Sequence, residues 1–238
     1  MGGVKRVARC FWVLILLSLG CSVPRPVEGV WRPPPGEDAE RIPGPMKNFG
    51  PFDTYADALK AACPLILSKP HAAVGHLLET APDLARRTAT EYCAWLYYTP
   101  EHKYEMSMLT DQSRMDDVVT GRRSCVLPAF VEDSRYAAGE LKYVFALHNH
   151  PFGHALSAGD ARFIERMASL HDWEVTAKDE RILLSIIAFF SKSKDPAAPT
   201  CDGFYQFTPA TNNLVLWTQT QGSWENKRLD PSIHLKDR

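Results

Sequence analysis

The stretch that most constrains this chain is ALHNHPFGHALSAGD, residues 146–160, because it places a pair of imidazoles at an i, i+2 spacing, a third in the following turn, and a helix start within fifteen residues. The preceding LKYVFAL, residues 141–147, is apolar and aromatic enough to predict a buried or half-buried strand. Pro151 cannot donate a ladder hydrogen bond and Gly153 favours a turn, so the strand should stop and the chain should loop. A helix is expected from about Ser157 to Leu170, since Phe163, Ile164, Met167 and Leu170 recur at three- and four-residue spacings. Ser157 suits its N-cap, and Asp160 falls in the first turn, where exposed amides favour a carboxylate. The expected arrangement is an imidazole pair, His148 and His150, beside a helix start that carries Asp160.

Two imidazoles and a carboxylate form a donor set suited to a divalent metal, zinc above all. Catalytic zinc sites use three protein ligands and keep a fourth position for water. Convergence of His148 and His150 on one ion is expected to require the strand to end or twist at Asn149, and Pro151 supplies a reason for it to end. Asn149 itself is expected to hold the loop by bonding to backbone, as asparagine does at turns. His154 is expected to be a solvated loop residue, with a substrate contact or a spare ligand as its other reading.

The segment His148-Asn149-His150-Pro151, followed by Ser157 and Asp160, resembles the signature of the JAMM (MPN-fold) metalloproteases, and its wording HNHP is closest to the RadC-like bacterial branch. The resemblance covers roughly residues 88–190. It implies an α+β fold of MPN/cytidine-deaminase-like type, with a mixed β-sheet flanked by helices in three layers. It also implies Zn2+ held by His148, His150 and Asp160, with Ser157 stabilising the tetrahedral intermediate and an upstream glutamate handling the proton of the attacking water. Glu91, which opens EYCAWLYY, matches that glutamate, and Glu105 in the next strand is its rival. Glu132 and Glu140 fall in a segment, VEDSRYAAGE, expected to be a short helix. The chain departs from the pattern at one place: five residues, Phe152 to Leu156, separate the proline from the serine where the family has six.

The N-terminus reads as targeting. Lys5, Arg6 and Arg9 precede the apolar run FWVLILLSLG, which is shorter than the roughly 20 residues a membrane span needs. With Gly20 and Cys21 behind it, residues 1–20 resemble a bacterial lipoprotein signal, which implies a lipid anchor at Cys21, with an ordinary secretory signal as the alternative. Ser22 is not the aspartate of inner-membrane retention, so the expectation is an outer-membrane lipoprotein of the cell envelope. The formal charge is −1, and without those three basic residues the remainder is at −4, which argues against a nucleic-acid surface. Residues 21–53, rich in proline and glycine, are expected to be a tether, the alternative being a wrap along the domain through Trp31, Phe49 and Phe52. The hydrolase domain should then span 54–230 and a tail 231–238.

Outside the central stretch, a helix is expected over YADALKAAC until Pro64 interrupts it, with a second over about 70–78. EYCAWLYY and YEMSMLTD should pair as antiparallel strands, WEVTA should be a strand, RILLSIIAFF reads as a strand with a buried helix as the equal alternative, and GFYQFTPATNNLVLWTQT should be a hairpin. Cys63, Cys93, Cys125 and Cys201 permit up to two disulfides of unreadable connectivity, with a buried free thiol at Cys93 at least as well supported. Two functions follow. One is a zinc peptidase or isopeptidase acting on a peptide or protein outside the cytoplasm, and the other is a noncatalytic MPN-like binding module.

Overall fold

Strands whose residues are buried on both faces form the centre of the molecule. The computed structural model describes residues 26–235 apart from Pro35, Asp38, 114–123, Ala138, Pro196 and Gln221. The signal segment and Cys21 lie outside the described residues. Every side chain of β2 (Cys93–Tyr98) and β8 (Ser185–Phe190) is buried, as are all but the first of β5 (Lys142–Asn149). Such runs need cover on both sides.

The order in the main sheet is β11-β10-β9-β8-β5-β2-β3, with β3 at Tyr104–Met106, β9 at Gly203–Thr208, β10 at Asn213–Thr220 and β11 at Ser223–Leu229. β5 and β8 are parallel and the other neighbours antiparallel, so the sheet is mixed. One parallel pair requires a crossover. It is made by α3 (Ala158–His171) and the hairpin of β6 (Glu174–Ala177) and β7 (Glu180–Leu183).

The helices supply the outer layers. α1 (Tyr55–Leu67) packs Ala58, Ala62, Cys63 and Ile66 against one face with Tyr92, Leu96 and Leu147. α3 packs Ala161, Ile164 and Ala168 against the other with Cys93, Trp95 and Ala146. The result is the expected three-layer α+β architecture of MPN/cytidine-deaminase-like topology.

Several expectations change. Residues 26–53 do not stand off as a tether: β1 (Arg41–Gly44) pairs in parallel with β4 (Phe130–Asp133), and Ile42, Met46 and Phe49 are buried. The wrap is pinned by Trp31 N–H to the Leu109 carbonyl at 2.7 Å and by an Arg32–Asp111 ion pair at 2.5 Å. Apolar side chains spaced among the prolines decide this, since each removes area from water at about 25 cal/mol per Å2.

Pro64 does not end α1, because it lies on the exposed face, where water can take the Lys60 carbonyl it leaves unbonded, while Ile66 and Leu67 continue the buried stripe. Instead of a helix over 70–78 there is a 3-10 turn at Gly75–Leu77, followed by α2 (Pro82–Thr88), which has proline at its start. VEDSRYAAGE begins as β4 and continues in turns rather than helix. The C-terminal hairpin extends to a third strand, β11, and α4 (Pro231–His234) follows it in place of a plain tail. In α3 the buried stripe runs through Ala161, Ile164 and Ala168, and Leu170 is exposed.

Candidate metal centre

β5 ends at Asn149, as expected, with the His150 amide still bonded to the Phe189 carbonyl at 2.9 Å. A spacing of two returns side chains to the same face, so His148 and His150 both point toward α3 while Asn149 points the other way. The twist, the other expectation, is not needed. Asn149, fully buried, accepts the Tyr92 amide on Oδ1 at 2.7 Å and donates from Nδ2 to the Ala72 and Thr90 carbonyls at 2.7 and 3.0 Å. It therefore bonds to backbone, as its sequence position suggested.

α3 delivers the third group. Ser157 caps the helix, accepting the Asp160 amide at 3.2 Å, while Asp160 Oδ2 accepts the Ser157 amide at 2.7 Å and the Ser157 hydroxyl at 2.8 Å. This reciprocal capping box satisfies helix-end amides and fixes the carboxylate rotamer together. The five-residue loop is long enough. Gly153, at φ +72°, takes the left-handed conformation that turns the chain, and its amide donates to the His150 carbonyl at 2.9 Å.

The three groups converge. His148 Nε2 lies 2.9 Å from His150 Nε2, and Asp160 oxygens lie 3.7 Å from the former and 3.6 Å from the latter. Ligands at about 2.0–2.2 Å from a tetrahedral zinc stand roughly 3.2–3.5 Å apart, a spacing these distances bracket. His148 is 4% exposed, but the Asp160 side chain is 22% exposed, so the cluster is reachable from one side. The ring atoms are prepared for it. His150 Nδ1 donates to the His154 carbonyl at 2.7 Å and His148 bonds to the backbone of Ile187, which leaves each Nε2 facing the cluster.

Charge at the site follows from burial and proximity. Burial drives the His148 imidazole down to about 4, against partial support from Asp160. Burial also opposes a charge on His150, but the Asp160 hydrogen bond and the Glu91 and Asp160 carboxylates prevail and push it up to about 9. For Asp160 burial alone would raise the carboxyl, and the two imidazoles instead hold it well below the usual range. The site thus favours positive charge beside the Asp160 carboxylate, a place that a cation suits.

The chain matches no family model, no curated protein and no solved structure. The His-His-Asp cluster on a mixed sheet is nonetheless consistent with an MPN/JAMM-like metal-binding fold. Glu91 lies just before β2, whose register pairs Cys93 with His148, so continuing the pairing brings Glu91 opposite His150. Its carboxylate acts on the His150 ring electrostatically.

Glu105 is elsewhere. It pairs in β3 with Tyr97 at the far end of β2 and is engaged by Arg135, which also binds Asp133 at 2.6 Å. Glu132 and Glu140 are exposed, and Glu140 Oε2 accepts the Ala137 amide at 2.6 Å. His154 is an exposed loop residue whose carbonyl, not its ring, orients His150. Cys93 is no free thiol: it is bonded to Cys125, and Cys63 is bonded to Cys201.

Proposed function

We propose that this chain is a zinc-dependent peptidase or isopeptidase of JAMM type, of the RadC-like branch, that hydrolyses an amide bond outside the cytoplasm. The observation that carries the reading is the convergence of His148, His150 and Asp160; the Glu91 carboxylate, whose charge favours protonation of His150, is assigned as the base. His148, His150 and Asp160 would hold zinc, which would supply Lewis acidity and make water a nucleophile near neutral pH. Glu91 takes the proton from the attacking water as the new C–O bond forms and returns it to the nitrogen of the leaving amine as the C–N bond then breaks. The Ser157 hydroxyl, at the same helix start, donates to the developing oxyanion, turning from Asp160 Oδ2 to do so.

The two disulfides support an oxidising compartment, as does the signal-like N-terminus with Cys21. A lipid on Cys21 would keep the domain close to the bilayer. Because packing against the domain begins by Val30, the intervening chain reaches at most about 30 Å.

The test is hydrolysis of fluorescein-labelled casein and of a lysine-linked isopeptide by zinc-reconstituted protein, wild type against Glu91→Gln. Turnover lowered by about 10²–10⁴-fold with zinc content unchanged is expected. Zinc bound without turnover by the wild type would favour the noncatalytic module instead.

A further inference from the structure

Asn149 occupies the position between the two histidines, yet the alternation of β5 turns its side chain to the opposite face, away from the metal cluster. It is fully buried, and both amine hydrogens and the carbonyl oxygen are used. Two of its three partners, the Thr90 carbonyl and the Tyr92 amide, flank Glu91 on either side. The third, the Ala72 carbonyl, belongs to a loop that also receives the Thr90 amide at the His71 carbonyl (3.1 Å) and the Tyr92 hydroxyl at the Pro70 carbonyl (2.9 Å).

Glu91 itself precedes the regular ladder, which begins at Cys93↔His148. At the next register step the Tyr92 amide is met by the Asn149 side chain. A side-chain amide thus stands where the strand pairing would otherwise have to hold Glu91. Leaving a buried amide or carbonyl unpaired is costly, so the three bonds are expected to hold together rather than exchange with water.

We infer that Asn149 is a positioning residue: it fixes the backbone on both sides of Glu91 and so sets where that carboxylate stands relative to His148 and His150. This rests on Glu91 being the proton acceptor of the proposed hydrolysis. Asn149 touches neither substrate nor ion. Its effect passes through Glu91, and loss of a hydrogen bond that orients a catalytic group at a metal site typically costs about 10–100-fold.

The test uses full-length protein loaded with zinc or cobalt, in the wild type, Asn149→Ala, Glu91→Gln and the double variant. Native-state amide exchange checks the clamp: Asn149→Ala should lose protection at Tyr92 and keep it at Cys93, whose amide bonds to the Thr110 carbonyl at 2.9 Å. Zinc affinity, measured against a chelating dye, should stay within about threefold of wild type, because the ligands are untouched.

The pH midpoint of the visible bands of the cobalt-loaded protein would respond to a carboxylate held beside the ion. Asn149→Ala should shift it in the same direction as Glu91→Gln, and the double variant should match Glu91→Gln alone. Shifts that add in the double variant, a wild-type midpoint in Asn149→Ala, or a zinc affinity lower by more than about tenfold would overturn the inference. A wild-type midpoint and turnover in Glu91→Gln would instead remove Glu91 as the base, with the Tyr92 amide still reporting the clamp. If Asn149→Ala does not fold, Asn149→Ser is compared on the same measurements, and equal zinc affinity with a displaced midpoint carries the same conclusion.

Discussion

The His150 ring donates from Nδ1 to the carbonyl of His154 at 2.7 Å, so the loop that follows the second histidine also sets that histidine's tautomer. The loop Phe152–Leu156 is one residue shorter than the JAMM pattern, and this bond shows how the shorter path still serves the site. Its length is matched to the ligand it orients. Inserting one glycine after Gly153 would restore the usual length and pull the His154 carbonyl out of reach. Zinc affinity is expected to fall about 10–100-fold, read by chelator competition.

The Ser157 hydroxyl makes two bonds to Asp160, donating to its carboxylate and accepting its amide. Ser157→Ala should therefore lower stability by about 0.5–2 kcal/mol, the usual loss of an N-cap, visible in urea denaturation. It should also weaken zinc binding, because the Asp160 carboxylate loses the hydroxyl partner that orients it. Ser157→Thr should recover most of both. A variant with wild-type stability would contradict the capping role.

His171 links stability to pH. Its Nε2 donates to the Ala129 carbonyl at 2.7 Å and its ring stacks on Tyr143 at 3.9 Å, while burial lowers its pKa against partial support from that carbonyl. The folded protein thus prefers the neutral ring. Above the unfolded value of about 6.5 both states are neutral and the contribution is complete. As pH falls below it, the unfolded chain takes the proton first, and stability declines until the lowered folded pKa is reached. Zinc-loaded wild type should lose melting temperature between pH 7.5 and 5.5 more steeply than His171→Gln. Parallel curves would contradict this.

The Cys63–Cys201 bridge ties α1 to the start of β9 across a sequence separation of 138 residues. Replacing both cysteines by alanine removes a long loop constraint on the unfolded chain, worth about 2–5 kcal/mol. A melting temperature lower by roughly 5–15 °C is expected by calorimetry.

The site was legible in the sequence because its ligands are local. His148, His150, Ser157 and Asp160 lie within thirteen residues, and strand exit, turn and N-cap each have their own residue signals. The assignment of Glu91 came from the family resemblance, since nothing local in its own segment singles it out.

What was not legible depends on contacts far apart in the chain. Cys63 with Cys201 cannot be paired from spacing, and Asn149 shows its three partners only once residues 72, 90 and 92 are beside it. Residues 26–53 have the composition of a linker, yet Ile42, Met46 and Phe49 find a core to enter. β11 escaped because SWENKRL is charged, as edge strands commonly are, and only Trp224 among its residues points to the packing against Phe204. The reading of the i, i+2 histidines failed for a simpler reason: a regular strand already places them on one face.

The central claim is that His148, His150 and Asp160 together hold one metal ion. Metal analysis of purified, zinc-reconstituted wild type after extensive dialysis, beside His150→Ala, tests it most directly. One zinc per chain in the wild type, and less than about a tenth of that in a folded His150→Ala, is the expected result. Equal zinc in both, or none in the wild type, would contradict the account.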